Sequence, residues 1–349
     1  MKKKVIVAFS GGIDSTYAVF KLLNDGYDVE TLTMCILDKE DYAYKTEKDV
    51  IEKAKKMSIK LGVKHNIVNL KNEFEKYVHK PLIDGYLKGE TPNPCVLCNR
   101  YIKFSALYNS AMKLGADYFA TGHYCNIINE NGSYKLLMAC NKDKDQSYFL
   151  HGISKEKLDK ILFPLASIEK KQIIREELIN KKLITNKNRE SMGICFVKDL
   201  KIGIYIRKFI DNLEKGYFRD ENGKIIGVHK GIIYYTIGQK VILNRYGKLY
   251  VKKIDCKENS IYLGLEESIF KNEVIIKDVI YTSQDEKIHY SGMKGKIGQW
   301  AELTEIESIK PIDNDRFKVL FKRKVRGPQR GQALVWYFKN KVIAGGIIE

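Results

Sequence analysis

The chain lacks any run close to the roughly 18 consecutive apolar residues that a membrane-spanning helix needs. Its N-terminal apolar run, Val5-Ile6-Val7-Ala8-Phe9, passes straight into a polar Ser-Gly-Gly turn and is too short for a secretory signal, so a cytoplasmic protein with no membrane partner is expected. Proline is scarce, six residues in 349, and no low-complexity linker or internal repeat breaks the chain. Cysteine is odd in number: seven residues, with no signal segment, argue against a disulfide framework and for thiols that are buried, catalytic or metal-binding. The single Cys-x-x-Cys pair has no second such pair, and no pair of histidines, at zinc-finger distance, which leaves a structural zinc site without its ligands.

What is present points to a globular protein of two or three domains, at about 150 residues each. A hydrophobic content of 44% with 11% aromatic residues supplies enough apolar surface for real cores, which excludes a disordered chain or a disulfide mini-protein. The 61 basic residues outnumber the 43 acidic ones by 18, a balance that attracts a polyanion such as nucleic acid or an anionic surface. A general bias toward Lys, Ile, Asn and Tyr accounts for part of that excess.

Up to about residue 125, short β-rich runs alternate with helical ones, the pattern of a doubly wound parallel sheet flanked by helices. Lys4–Phe9 reads as a buried strand, Asp14–Leu23 as a helix stopped by Gly26, and Val29–Leu37 as the next strand. Val50, Ala54, Met57 and Leu61 share one helical face ahead of a strand at Val63–Leu70; a helix at Phe104–Leu114 then leads into a strand at Asp117–Ala120. Ser167–Lys215 reads as a charged helical bridge. Beyond it, Ile232–Ile237, Leu249–Ile254, Ile261–Leu263, Val274–Tyr281, Phe317–Phe321 and Ala333–Phe338 read as strands of one or two small β domains.

Three motifs carry chemistry. Ser10-Gly11-Gly12-Ile13-Asp14-Ser15 falls where a strand ends and a helix begins, so its glycines allow close backbone approach to an anion and the free N–H groups of the helix start favour phosphate. It is neither Gly-x-x-x-x-Gly-Lys-Ser/Thr nor Gly-x-Gly-x-x-Gly. In Thr91-Pro92-Asn93-Pro94-Cys95-Val96-Leu97-Cys98, two of the six prolines stiffen the backbone just before paired thiols, a costly way merely to fill a core. The third motif, Glu190-Ser191-Met192-Gly193-Ile194-Cys195-Phe196, would read alone as a core cysteine beside apolar neighbours.

The first motif resembles the signature of the ATP pyrophosphatases, which split ATP between its α and β phosphates, and by itself leaves amide-forming ligases and thiolating enzymes both open. The three motifs together resemble the tRNA-specific 2-thiouridylase family. The likeness continues through Leu32-Thr33-Met34, Ala120-Thr121-Gly122-His123-Tyr124, Lys144-Asp145-Gln146-Ser147-Tyr148-Phe149-Leu150, Phe163-Pro164-Leu165, Tyr235-Thr236-Ile237-Gly238-Gln239 and Arg330-Gly331-Gln332-Ala333 to Gly345-Gly346-Ile347-Ile348. It implies an α/β doubly wound parallel-sheet pyrophosphatase-loop (PP-loop) domain, adenine nucleotide alpha hydrolase-like, over residues 1–200. A small central β-rich domain over 201–272 and a C-terminal β-barrel over 273–349, in contact with tRNA, would follow.

Carried over residue by residue, the resemblance implies that Ala8, Phe9, Ser10, Gly11, Gly12, Ile13, Asp14 and Ser15 bind ATP phosphates, with Met34 and Gly122 near the adenosine. Asn93, Pro94 and Cys95 would border the target uridine, and Lys144, Asp145 and Gln146 would touch tRNA. Cys98 and Cys195 would be the catalytic pair, working on a uridine adenylated with ATP and Mg²⁺. Cys195 would take sulfur from an upstream persulfide or hydrosulfide donor, and a thiol reductant would reopen the Cys98–Cys195 disulfide left behind. That chemistry asks for thiolates of depressed pKa, which positive surroundings would favour. His123 reads equally as a site residue or as a plain hydrogen-bonding one.

Two departures from the family stand out. Cys95 occupies a position where many members carry Asp; with Cys98 and Cys195 it could instead hold a 4Fe-4S cluster, one iron left open for hydrosulfide. The barrel segment that reads Arg-Tyr-Arg in relatives and contacts RNA is here Gly295-Lys296-Ile297-Gly298-Gln299-Trp300, and no RNA contact is carried over to it. A basic run, Lys318, Lys322, Arg323, Lys324, Arg326 and Arg330, with no acid within it, is expected to present its charge to tRNA phosphates. The competing function is an amide-forming or ligase-type pyrophosphatase acting on a small metabolite, which would leave the three thiols idle.

Overall fold

The computed structural model describes residues 2–37, 44–185, 193–197, 200–282 and 291–349. The first three strands, β1 (Lys4–Ala8), β2 (Asp28–Cys35) and β3 (Lys64–Asn69), alternate with α1 (Ile13–Asn24) and α2 (Tyr44–Leu61). After β4 (Tyr118–Thr121) comes a hairpin, β5 (Asn126–Glu130) and β6 (Ser133–Leu137), and then the two-residue strand β7 (Ile161–Leu162). Strands β1 to β4 and β7 form an all-parallel sheet in the order β3-β2-β1-β4-β7. Val5, Ile6 and Val7 are fully buried, and alternate residues of the sheet feed two separate clusters. Ile6, Leu32 and Phe119 pack with Leu82 and Phe104 on one face, while Val5, Val7 and Ala120 pack with Ala18, Val19 and Ala54 on the other. Burial on both faces is why these strands read as unbroken apolar runs. Because chain order reverses at β1, the loops after β1 and β4 diverge and leave a crevice at the carboxyl edge, where doubly wound sheets bind ligands.

The β5–β6 hairpin leaves this sheet and hangs on the C-terminal one, with Leu137 opposite Lys341. Its turn is Asn131-Gly132, both with positive φ (53° and 85°), the geometry of the tight turn that suits strand twist.

A five-stranded sheet follows: β8 (Gly216–Arg219), β9 (Ile225–His229), β10 (Lys240–Leu243), β11 (Gly247–Asp255) and β12 (Ser260–Gly264), in the order β10-β11-β12-β8-β9. The C-terminal strands are β13 (Phe270–Tyr281), β14 (Met293–Lys296), β15 (Thr304–Pro311), β16 (Phe317–Arg326), β17 (Ala333–Phe338) and β18 (Lys341–Ile348). They run antiparallel in the order β13-β16-β15-β14-β17-β18, and pairing of β18 with β13 closes them into a barrel around Trp336, Phe321 and Val319. Among the described residues no helix is long and apolar enough to cross a membrane.

Three expectations are corrected. Ile232–Ile237 is no strand: Gly231, at φ 132°, turns the chain into a short 3-10 turn at Ile232–Tyr234 that buries Ile232 and Ile233. The expected helical bridge reduces, among the described residues, to Lys171–Asn180 and Ile202–Arg207. The helix expected from Phe104 is preceded by a π-wound stretch from Cys98, and the two are joined across a kink at Phe104 (φ −95°, ψ 15°).

Candidate active site

The phosphate loop is a compact knot. The Ser10 N–H donates to Ser15 Oγ at 3.4 Å, the two hydroxyls lie 3.3 Å apart, and Ser15 Oγ donates to the Gly12 carbonyl at 3.2 Å. Gly12 takes the N-cap position of α1 with no side chain to cap it, so the first N–H groups of a twelve-residue helix face outward with the positive end of its dipole. Two glycines are dictated by crowding. Gly11 (φ 65°) presses on α2, where a methyl group would stand 3.0 Å from the Ala54 backbone. At Gly122, just after β4, a methyl group would stand 2.9 Å from the Asp14 carbonyl carbon and the Ser15 nitrogen. Asp14 accepts from Lys171 Nζ at 2.9 Å and from the Tyr124 hydroxyl at 3.1 Å. Met34 lies in β2 at the same carboxyl edge, half-buried.

The thiol loop is equally built. Asn93 caps the short helix Pro94–Leu97, its Oδ1 accepting from the Cys95 and Val96 N–H groups at 3.1 and 3.2 Å. Its amide donates to Gln332 Oε1 at 3.2 Å, Gln332 Nε2 donates to the Thr91 carbonyl at 2.8 Å, and the Thr91 N–H donates to the Arg330 carbonyl at 2.7 Å. The barrel thus holds the proline-rich loop in place. Asn93 is consumed by these contacts, which shape the loop that carries Cys95 and Cys98.

Cys98 is buried, Cys95 half-buried and Cys195 exposed, and all seven thiols are free. Glu190 to Met192, which lead into Cys195, lie outside the described residues. Lys103 faces Cys95, Cys98 and Cys195 electrostatically, and Cys195 is felt by the other two. The π winding explains part of this: with hydrogen bonds five residues apart, as from the Tyr108 N–H to the Lys103 carbonyl, the fifth residue returns toward the face it would leave in an α-helix. The expectation of depressed thiolate pKa values is overturned. Burial pushes Cys95 up to about 11 and Cys98 up to about 12, Lys103 only partly opposing it. Cys195 is exposed as a residue, yet desolvation raises its thiol too, with Lys103 again opposing in part. Among the described residues, no three His, Cys, Asp or Glu side chains are gathered closely enough to hold a metal ion.

Lys103 is also the bridge to the phosphate loop. Its Nζ lies 3.3 Å from His123 Nε2, and His123 Nδ1 lies 2.8 Å from Thr121 Oγ1. Burial, reinforced by Lys103, drives the His123 pKa well below its ordinary value. The ring is therefore neutral, accepting from the ammonium at Nε2 and donating from Nδ1. Sequence reasoning missed Lys103 and Lys171; neither sits in a recognisable motif, and both acquire partners only through tertiary packing.

The segment expected to touch tRNA divides. Asp145 is 1% exposed, and its carboxylate accepts from the Ala139 N–H at 2.9 Å and from the Ser147 hydroxyl at 2.8 Å, so it braces the loop from inside instead of meeting RNA. Lys144 and Gln146 are half-buried, and Gln146 Oε1 accepts from the Tyr124 N–H at 3.0 Å. The basic run on and just after β16 is largely neutralised by acids from strands and loops around it: Lys318 pairs with Glu273 at 3.1 Å, Lys322 with Glu305 at 2.9 Å, Arg326 with Glu266 at 3.4 Å and Arg330 with Glu90 at 3.7 Å. Arg323 and Lys324 are exposed and have no ion-pair partner among the described residues.

Three family models match consecutive parts of the chain: a tRNA methyl transferase HUP domain over residues 3–199, a tRNA methyl transferase PRC-barrel domain over 204–265, and an aminomethyltransferase beta-barrel domain over 272–348. The chain is 41% identical to tRNA-specific 2-thiouridylase MnmA 1 of Clostridium tetani, over 100% of this chain and 97% of that one. It is 38% identical to tRNA-specific 2-thiouridylase MnmA of Clostridium kluyveri over 100% of both. Among solved structures it is similar to the U34-tRNA thiolase NcsA from Methanococcus maripaludis with its 4Fe-4S cluster, at a TM-score of 0.36 and 19% identity over 56% of this chain and 61% of that one. Matched to its relatives over its whole length, with three family models in the order of its three structural parts, the chain belongs to the tRNA-specific 2-thiouridylase family.

Proposed function

We propose that this chain converts the wobble uridine of tRNA to 2-thiouridine at the expense of ATP. The observation that supports the reading is the continuous path from the phosphate loop through Gly122, His123 and Lys103 to the three thiols, which lets anion binding and sulfur chemistry share one crevice.

ATP phosphates meet the N–H groups of Ala8 to Ser15 and the dipole of α1, while Met34 and Gly122 flank the adenosine. The uridine C2 oxygen attacks the α-phosphorus and pyrophosphate leaves. The one carboxylate of the phosphate loop, Asp14, is already engaged by Lys171 and Tyr124, so the loop offers Mg²⁺ no free carboxylate. The ion fits as a passenger on the phosphates, where it neutralises their charge. Asn93, Pro94 and Cys95 frame the base, and Lys144 and Gln146 meet the tRNA. Cys195 carries a persulfide from an upstream donor; its terminal sulfur attacks C2, and AMP departs with the original oxygen. The Cys98 thiolate then attacks Cys195 Sγ, breaking the S–S bond. Sulfur stays on the base, and the Cys98–Cys195 disulfide is reopened by a two-electron thiol reductant.

Cys95, Cys98 and Cys195 have the donor chemistry for a 4Fe-4S cluster, but the arrangement among the described residues does not gather them as ligands, and no step passes through one. Anaerobic purification with iron and sulfide analysis tests this: stoichiometric iron would replace the disulfide route with a cluster route. A cytoplasmic place of action belongs to the same proposal, since tRNA and ATP are met there.

The deciding assay is mass spectrometry of nucleosides from unmodified tRNA incubated with the chain, ATP and a persulfide donor. Formation of 2-thiouridine that is lost in Cys98→Ser and Cys195→Ser, with tRNA-dependent pyrophosphate release retained, is the expected result. Turnover indifferent to both substitutions would indicate the ligase-type alternative.

A further inference from the structure

The chain has two tryptophans, and they stand at opposite extremes: Trp336 is 1% exposed in the barrel core, whereas Trp300 is 87% exposed. A large aromatic ring left in water forgoes about as much hydrophobic stabilisation as any side chain can gain, so its display calls for a partner. Trp300 sits at the tip of the β14–β15 connection, in a turn closed by the Ala301 N–H donating to the Gly298 carbonyl at 3.1 Å. The tip is clamped: the neighbouring Gln299 donates from Nε2 to the Asp145 carbonyl at 2.6 Å, and Lys296 lies within electrostatic reach of the Asp145 carboxylate. The buried Asp145 next to Gln146 thereby ties the barrel loop to the segment that contacts Tyr124, which in turn touches Asp14 of the phosphate loop. At the foot of the same connection, Lys294, Lys322 and Arg323 all bear on Glu305, so basic charge outweighs that carboxylate there, while the exposed Glu302 follows the ring by two residues. An exposed aromatic ring on a fixed turn, joined to a strand that carries Lys294, is a surface on which an unpaired base can stack.

We propose that Trp300 is a stacking platform for an unstacked base of the bound tRNA. This rests on the tRNA reading above and adds to it a named contact at a segment where the family pattern is absent. The test is intrinsic fluorescence titrated with an unmodified tRNA transcript, read alongside acrylamide quenching. Bound tRNA should quench the exposed tryptophan and shield it from acrylamide. Trp300→Phe should abolish that signal while keeping most of the affinity, and Trp300→Ala should weaken binding by about fivefold to a hundredfold. Because the ring is exposed, unchanged circular dichroism is expected of both variants. If the wild type binds and thiolates tRNA but Trp300 stays open to acrylamide, or Trp300→Ala binds within twofold of wild type, the platform is refuted and the tRNA reading stands. The same result would follow if the ring served a protein partner. If the wild type neither binds nor thiolates tRNA, the functional reading itself has failed.

Discussion

The substitution Gly122→Ala tests whether the crevice between β1 and β4 is the nucleotide site. The added methyl would stand 2.9 Å from the Asp14 carbonyl carbon and the Ser15 nitrogen, and 3.1 Å from the Asp14 carbonyl oxygen. Ordinary carbon contacts begin near 3.5 Å, so one backbone must withdraw from the other by about half an ångström. These are main-chain atoms of a hydrogen-bonded loop, with no flexible side chain to yield. Overpacking of this kind costs about 1–3 kcal/mol, a fall of roughly 2–9 °C in melting temperature for a domain this size. The larger effect falls on chemistry, because displacing a reacting group by a fraction of an ångström to 1 Å costs up to about a hundredfold in rate. Gly122→Ala should therefore lower kcat/KM for ATP, read as tRNA-dependent pyrophosphate release, by about ten- to a hundredfold, while tRNA affinity changes less than twofold. A variant whose ATP kinetics stay within twofold of wild type would refute the placement of the phosphates against Asp14 and Ser15.

Burial raises Cys95, Cys98 and Cys195, so thiolate must grow with pH across the neutral range: iodoacetamide alkylation of Cys98 should rise about tenfold per pH unit from pH 7 to pH 10 without levelling off. A plateau near pH 8 would contradict the burial argument. Lys103→Met removes the cation facing all three thiols and should slow alkylation and sulfur transfer together, with Lys103→Arg recovering part of both; equal rates in the two variants would count against an electrostatic role. For tRNA binding, Arg323→Ala or Lys324→Ala should each reduce the salt slope by about 0.7–0.9 if it meets a phosphate, and Lys318→Ala, which leaves Glu273 unpaired, should change it differently. Asn93→Ala removes a helix cap and should cost about 0.5–2 kcal/mol of stability by thermal denaturation.

The parallel sheet was legible because its strands are buried on both faces and so read as plain apolar runs, and the phosphate loop because its requirements are met by six consecutive residues. The β5–β6 hairpin was not anticipated, although Asn131-Gly132 is a turn signal, and its docking on β18 leaves no local mark in the sequence. Ile232–Ile237 misleads because β-branched and aromatic residues follow a glycine whose φ of 132° commits the chain to a turn. The π winding from Cys98 onward has no sequence period of its own, so neither the start of that helix nor the bearing of Lys103 on the thiols could be read in advance. The charge on β16 was legible, but its neutralisation was not, because Glu273, Glu305, Glu266 and Glu90 arrive from elsewhere in the chain.

The raised thiols and the stitched loop bear on each other. A buried, protonated Cys98 is inert toward stray oxidants, yet the proposed sulfur transfer needs its thiolate, so in that route the positive charge that favours ionisation must stay in register with it. Lys103 is fixed relative to Cys98 by the helix they share, and relative to the phosphate loop by His123. The thiol loop is fixed in turn by Gln332 and Arg330 of the barrel, and Gly331 fits there because a methyl group would come within 2.9 Å of the Pro92 nitrogen. Under the proposed function, tRNA held by the barrel would therefore bear directly on the loop carrying Cys95 and Cys98. Gln332→Ala, which removes the acceptor for Asn93 and the donor to Thr91 together, should impair sulfur transfer more than pyrophosphate release. Equal loss in the two assays would mean that the barrel steadies the whole crevice and not the thiol loop in particular.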